Sequence, residues 1–258
     1  MTEAIISEGT PKIQHVIAIM SGKGGVGKSL VTALLAVALR RRGLQVGILD
    51  GDLSGPSIVS MCGPEIQLSM TDDGSIEPLV SEEGLKIMSM SLFLENEADP
   101  TLWQGSMLAS AFKQFYGEVA WGQLDYLLVD VQSGTSEVPM TILRSLPLDG
   151  VVIVSSPQDL AATVVKKTIN MVHQFNVPIL GIVENMAYFM APGGEYCEIF
   201  GPSSGTELMS LADAPLLGQL PLDPKLAVLS DSGHIGEYHS QAYETLIANW
   251  LKALKIER

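Results

Sequence analysis

The sequence predicts an α/β fold, a mainly parallel and doubly wound sheet, and three observations lead there. Short apolar runs recur at residues 15–21, 44–50, 85–90, 125–131, 150–156, 178–185 and 215–220. Most lack the apolar–polar alternation of a half-exposed strand, as strands buried on both faces should. Between them lie stretches of helical composition at 28–42, 107–116, 138–146, 160–175 and 203–211, which return the chain for parallel pairing and cover both faces of the sheet. At the first strand-to-helix junction the chain reads Gly22-Lys23-Gly24-Gly25-Val26-Gly27-Lys28-Ser29, and a loop of this type belongs between a strand and a helix.

Residues 1–12, polar and acidic at the start, are expected to form a flexible tail, and residues 13–258 a single domain without linker or repeat. The run at 15–21 is strand-like, and the loop after it matches the phosphate-binding pattern G-x-x-x-x-G-K-[ST]. Gly22, Gly24, Gly25 and Gly27 suit a backbone whose N–H groups wrap closely around phosphate oxygens. Val26 and Leu30 belong to the same binding stretch. Lys28 places a compact charge at the β- and γ-phosphates, Ser29 offers a hydroxyl to Mg²⁺, and the helix from 28 to 42, closed by Gly43, turns its positive end to the anion. A nucleoside triphosphate with magnesium is the expected ligand.

In an open parallel sheet, ligands gather at the carboxyl ends of the strands. The second run ends in Asp50-Gly51-Asp52, where Asp52 is placed to hold a magnesium-bound water and orient the attacking one. The methionine-rich stretch 86–90 reads as core rather than metal site. Leu127-Leu128-Val129-Asp130 is an apolar strand ending in an acid, so Asp130 is expected to hold magnesium through its water shell. Gly134 lets a backbone N–H approach the γ-phosphate, so the loop 132–135 could sense hydrolysis. Further on, the Asn185 amide can pair with a base edge, and the loop of Pro221 and Asp223 can cover a purine face. The last helix, about 239–256, carries Tyr243, Leu246, Ile247, Trp250, Leu251 and Leu254 on one face, which predicts packing on the body of the domain.

Composition narrows the partners. A formal net charge of −14 over 258 residues argues against a protein that works by neutralising nucleic-acid phosphates. No apolar run approaches membrane-spanning length, so a cytoplasmic protein without stable membrane insertion is expected. The two cysteines, Cys62 and Cys197, lie far apart, and the four histidines are scattered. That indicates neither a disulfide framework nor a zinc site of paired cysteines.

Through these residues the chain resembles the Mrp/ApbC/Nbp family, the MinD- and NifH-related deviant P-loop ATPases that act as iron–sulfur cluster carriers. Besides the loop, the resemblance rests on Gly55-Pro56-Ser57, Leu102-Trp103-Gln104-Gly105, Leu124-Asp125-Tyr126, Ser156-Pro157-Gln158, 177–181, Glu184-Asn185-Met186 and Ile199-Phe200-Gly201. It covers the chain from Val16 to about Pro224. It implies a MinD/NifH-like fold and a slow, magnesium-dependent ATPase that dimerises with ATP across a two-fold axis. In that dimer Lys23 reaches in trans to the partner's nucleotide, Lys28, Ser29, Asp52 and Asp130 serve phosphate, metal and water, and Asn185 with the Pro221 loop holds adenine. An iron–sulfur client or carrier protein is the implied partner.

The departures are specific. Family members usually carry a Cys-Pro-x-Cys pair shortly after Glu-Asn-Met, and two pairs across the axis ligate a bridging cluster. Here the two cysteine positions hold Ala191 and Gly194, and Cys197 follows. Two Cys197 residues per dimer fall short of the four thiolates a four-iron cluster takes, so Cys197 is either a displaced ligand or an ordinary small residue. Where the family usually has Pro-Pro-Gly-Thr after the acid, the chain has Gln132-Ser133-Gly134-Thr135, and Trp-Arg-Gly-Pro becomes Trp103-Gln104-Gly105-Ser106. Two functions fit this pattern: an ATPase assisting iron–sulfur assembly or transfer, and a MinD/ParA-like ATP-dependent dimerisation switch that carries no cluster. A nucleotide-bound subunit that does not hydrolyse fits the altered switch but not the retained Asp52 and Asp130.

Overall fold

A computed structural model of the protein describes residues 12–51, 57–63, 69–72, 74–93 and 105–256. The strands are β1 (Lys12–Ser21), β2 (Val46–Asp50), β3 (Leu79–Val80), β4 (Lys86–Ser89), β5 (Gln123–Asp130), β6 (Gly150–Ser155), β7 (Ile179–Glu184), β8 (Phe189–Met190), β9 (Tyr196–Cys197) and β10 (Leu216–Gln219). The helices are α1 (Lys28–Arg40), α2 (Ser57–Cys62), α3 (Gly105–Glu118), α4 (Glu137–Ser145), α5 (Asp159–Gln174), α6 (Gly205–Ala212), α7 (Pro224–Asp231) and α8 (Gln241–Ala253). Among the described residues, eight strands form one sheet in the order β10-β7-β6-β1-β5-β2-β4-β3. Every pairing is parallel except that of the short edge strand β3 with β4.

Burial on both faces explains the unbroken apolar runs. Along β1, Val16, Ala18 and Met20 enter a core with Phe112, Ile142, Val165 and Leu208 from α3, α4, α5 and α6. Ile17 and Ile19 enter the opposite core with Leu34, Ile58, Leu226 and Leu246 from α1, α2, α7 and α8. Both sides of each central strand therefore need apolar residues. Each of the seven apolar runs overlaps a strand of the sheet, and all but those of β1 and β5 contain the whole strand. β1 starts earlier than its run because Lys12 and Ile13 pair with Gln123 and Leu124, and the Gln14 amide donates to Asp125 Oδ1 at 3.1 Å. Pairing extends the strand where burial does not.

Met88 and Met90 are core residues, as the sequence indicates. In α8 the side chains of Tyr243, Leu246, Ile247, Trp250 and Leu251 are buried, so its apolar face packs on the domain. Among the described residues no helix is long and apolar enough to cross a membrane.

Short elements escape the periodicity: α2, α7, β3 and the β8–β9 hairpin. α7 starts from a local signal. Asp223 accepts the Lys225 backbone N–H through Oδ1 at 2.9 Å, Pro224 sits at the first helical position, and Tyr238 donates to Oδ2 at 2.9 Å. This is an N-cap reinforced by proline. Asp223, expected beside the nucleotide, has both carboxylate oxygens engaged in that cap.

Both cysteines are free; Cys62 on α2 is buried and Cys197 on β9 is half-buried. Desolvation, with smaller contributions from Glu83 and Asp50, pushes the Cys62 thiol up to about 12. A thiol so raised is neutral and unreactive near neutrality. One thiol per chain should therefore react with Ellman's reagent at about pH 8 in the native protein, none in Cys197→Ala, and Cys62 only after unfolding; two fast-reacting thiols in the native protein would contradict this packing. A second expectation concerns Trp250, fully buried in one core, whose indole N–H has no hydrogen-bond partner among the described residues. Trp250→Ala should cost about 3–5 kcal/mol in urea unfolding. Trp250→Phe should cost clearly less, because it removes the unpaired donor along with the lost ring.

Candidate functional site

The carboxyl ends of the parallel strands are level with one another. Asp50 pairs with Asp130 and with Ser89, Ser21 with Val154, and Ser155 and Gln219 with Glu184. The strands are apolar until these last residues, and the buried polar groups Ser89, Asp50, Asp130, Ser21, Ser155 and Glu184 then line one edge. Functional loops leave from that edge.

The first loop rises from Ser21. Gly24 and Gly25 form its exposed crest, with open space where a Cβ would stand. Gly27 closes it at φ 82°, ψ 30° and serves as N-cap of α1 without a side-chain cap. A Cβ at Gly27 would also lie 2.1 Å from the Asn185 amide nitrogen, so both conformation and space require glycine there. The N–H groups in the first turn of α1 have no intrahelical acceptor. They face an open loop where the helix dipole favours negative charge.

Beneath the loop, three donors converge on one carboxylate. Lys28 Nζ lies 2.7 Å from Asp130 Oδ2, with side chains 4% and 0% exposed. Ser29 Oγ donates to the same oxygen at 2.6 Å, and Thr32 Oγ1 donates to Oδ1 at 2.8 Å. Lys28 and Thr32 are one helical turn apart, so both point from α1 to the end of β5. Thr32 was not anticipated from the sequence; a hydroxyl within the otherwise apolar face of α1 is the signal that could have found it. Asp50, in register with Asp130, accepts from Ser89 Oγ at 2.9 Å. Asp52 lies outside the described residues.

Neighbouring loops brace the first one. Asn185 is buried, and its amide donates to the Val26 carbonyl at 2.9 Å, so that N–H is committed to propping the loop. A Cβ at Gly22 would come within 2.6 Å of the Val165 backbone nitrogen; the foot of the loop thus touches α5 directly. Lys23, half-buried, donates to Gln158 Oε1 at 2.5 Å, a contact within one subunit and a second partner not singled out in advance. The switch segment is tied down as well. Gly134, at φ 97°, donates its N–H to the Ser21 carbonyl at 2.9 Å, and the Ser21 and Ser133 hydroxyls lie 3.0 Å apart. The Gly134 N–H expected at the phosphate is held by Ser21 in this arrangement.

Beyond Asn185 the chain makes the β8–β9 hairpin. Ala191 N–H donates to Glu195 at 2.9 Å and Gly194 N–H to Ala191 at 2.8 Å, with Gly194 at φ 85°. The two positions where the resemblance expects cysteine thus form the hairpin tip, and one has a left-handed backbone that disfavours a side chain. Cys197 pairs with Phe189 across the hairpin. Met190, Tyr196 and Ile199 are 47%, 56% and 53% exposed, so the hairpin presents large apolar side chains to solvent beside the exposed Glu195 and Glu198. Pro221, Leu222 and Asp223 line a cleft of about 280 Å³ together with Tyr188 and Phe189; the proline loop packs beside the hairpin. Among the described residues no group of three or more His, Cys, Asp or Glu side chains could hold a metal ion.

Comparison with known proteins agrees with this geometry. A family model described as ParA, NUBPL iron-transfer P-loop NTPase, matches residues 12–254. An iron–sulfur cluster carrier protein of Methanocaldococcus jannaschii is 42% identical over 236 residues, covering 90% of this chain and 80% of the relative. A cytosolic Fe-S cluster assembly factor Nubp2 homolog of Drosophila grimshawi is 42% identical over 228 residues, covering 86% of each chain. Among solved structures, a nucleotide-binding protein of Archaeoglobus fulgidus in complex with ADP superposes with a TM-score of 0.78 at 42% identity, over 90% of this chain and 91% of that one. A Lys28, Ser29 and Asp130 cluster beneath a glycine loop at the carboxyl edge of a parallel sheet, with a family match over nearly the whole chain, leaves one conclusion: the chain belongs to the ParA-type, NUBPL iron-transfer family of P-loop NTPases.

Proposed function

We propose that the protein is an ATP-binding, slowly hydrolysing homodimer of the cytoplasm that assists the assembly or transfer of iron–sulfur clusters. The observation that carries the nucleotide half is the convergence of Lys28, Ser29 and Thr32 on buried Asp130 under an uncapped helix N-terminus. The names of the Methanocaldococcus and Drosophila relatives support the iron–sulfur half, and the ADP complex of the Archaeoglobus neighbour supports the ligand.

Each residue has a part. The loop N–H groups and Lys28 bind the phosphates. Ser29 Oγ and the Asp130 carboxylate, 2.6 Å apart, are the hard-oxygen pair that would hold Mg²⁺ beside a phosphate, and the ion would supply charge neutralisation for the phosphoryl transfer. Asp130 positions both Lys28 and Ser29 for that task. Asp52 orients the water that attacks the γ-phosphorus as ADP leaves, and Lys23 reaches the nucleotide across the dimer axis. Asn185 keeps the loop at its height through Val26 and, with the Pro221 loop, borders the base. The switch segment 132–135 lacks prolines and is held to Ser21, which supports slow rather than fast turnover.

For cargo, the hairpin places one half-buried thiol per subunit, Cys197, beside the exposed Tyr196 and Ile199. Two such thiolates in a dimer supply half the ligands of a Cys₄ cluster, which suits a cluster shared with a client protein. Ala191 and Gly194 at the hairpin tip favour a second reading, an ATP-dependent dimerisation switch of the MinD/ParA kind that carries no cluster.

Lys28→Ala should abolish ATP binding in titration calorimetry while the protein stays folded by circular dichroism; unchanged affinity would refute the phosphate-loop assignment. Anaerobic reconstitution of wild type and Cys197→Ala, followed by iron and sulfide analysis per dimer, separates the two readings. Iron bound by wild type and lost in the variant supports the carrier. Iron absent from both, with dimerisation still driven by ATP, supports the switch.

A further inference from the structure

Lys23 and Gln158 lie 135 positions apart, yet the Lys23 ammonium rests 2.5 Å from Gln158 Oε1. An ammonium only donates, so the amide must turn its oxygen toward it. Gln158 stands at the N-cap position of α5 but makes no side-chain cap bond to that helix, and glutamine is not among the favoured capping residues. Its side chain is thus not spent on its own helix. The approach of Gly22 to the α5 backbone fixes the distance between the loop and Gln158. On the other side of Lys23, its own carbonyl accepts from Ser21 Oγ at 3.1 Å, which steadies the backbone from which the side chain folds back.

We propose that Gln158 is the positioning residue that holds Lys23 in cis, over its own subunit, and sets how readily it is released to the nucleotide of a second copy of this chain. This rests on the dimer reading above and adds to it a residue that tunes the dimerisation constant. The chemistry lies in the neutrality of the amide. A neutral carbonyl accepts an ammonium more weakly than a phosphate or carboxylate does, so Gln158 orders the side chain and yields it to an anionic phosphate. A carboxylate at the same place would retain it. A methyl group would leave it to solvent.

The test measures ATP-dependent dimerisation by light scattering or sedimentation for wild type, Gln158→Ala, Gln158→Glu, Lys23→Ala and the double variant Lys23→Ala/Gln158→Glu, with ADP affinity of the monomer as control. Gln158→Glu should weaken dimerisation roughly tenfold at low salt, because a charge-assisted pair now competes, and the loss should shrink as salt screens the pair. Gln158→Ala should tighten dimerisation by about two- to fivefold, since a single neutral acceptor is removed. The glutamate effect should vanish in the Lys23→Ala background, and monomer affinity for ADP should be the same in wild type, Gln158→Ala and Gln158→Glu. If both Gln158 variants dimerise like wild type while Lys23→Ala is weakened, the trans lysine stands and the role of Gln158 is overturned. If Lys23→Ala itself dimerises like wild type, the trans lysine fails and the role of Gln158 fails with it.

Discussion

The arrangement depends on one ion pair, Lys28 with Asp130, out of contact with bulk water. Removing two charges from water costs several kcal/mol per ion, and an interior pair survives only where further hydrogen bonds satisfy the remaining atoms. Ser29 and Thr32 supply those bonds, and all three donors come from the first two turns of one helix. The pair therefore does more than neutralise a charge. It sets the rotation and height of α1 against the centre of the sheet, and with them the direction in which the first-turn N–H groups point. Losing either partner leaves a buried charge, a cost of about 3–5 kcal/mol, so the anchoring of the glycine loop and part of the domain's stability rest on the same pair.

From that point the chemistry is distributed along the strand edge. The β5 and β2 ends bring Asp130 and Asp50 side by side, and the β1 end carries the loop that faces anions. At the β7 end, Glu184 is a second buried carboxylate with a different set of donors: Ser203 Oγ at 2.6 Å, Ser204 N–H at 2.9 Å and Gln219 Nε2 at 2.7 Å. None of these donors carries a charge. Glu184 is held by neutral donors alone, whereas Asp130 is held by a buried lysine and two hydroxyls of α1. The two carboxylates thus divide the edge into a part balanced by charge and a part balanced by neutral hydrogen bonds.

Much of this was legible from residue order. Strands buried on both faces announce themselves as unbroken apolar runs, and the glycine loop, Lys28, Ser29 and Asp130 follow from spacing because backbone geometry dictates where each must stand. What stayed hidden has two physical causes. α2, α7 and the two-residue strands of the hairpin are too short to show a period, although Asp223-Pro224 carries a local start signal for α7. Thr32 and Gln158 take their meaning from partners 98 and 135 residues away; nothing near either residue points to the other end. The buried Asn185 amide likewise takes its part from a distant carbonyl, that of Val26.

The neck of the hairpin has a consequence for how this chain can change over time. The excursion from Asn185 through β8 and β9 to Ser204 leaves and returns at adjoining residues: Asn185 N–H bonds to Ser155, while Ser203 and Ser204 close on Glu184. Such a loop is closed at its base, and substitutions at its tip propagate little strain into the sheet. Residues at the tip, Ala191 to Gly194, can change without disturbing the glycine loop at the far strand ends, so the two regions are free to evolve at separate rates.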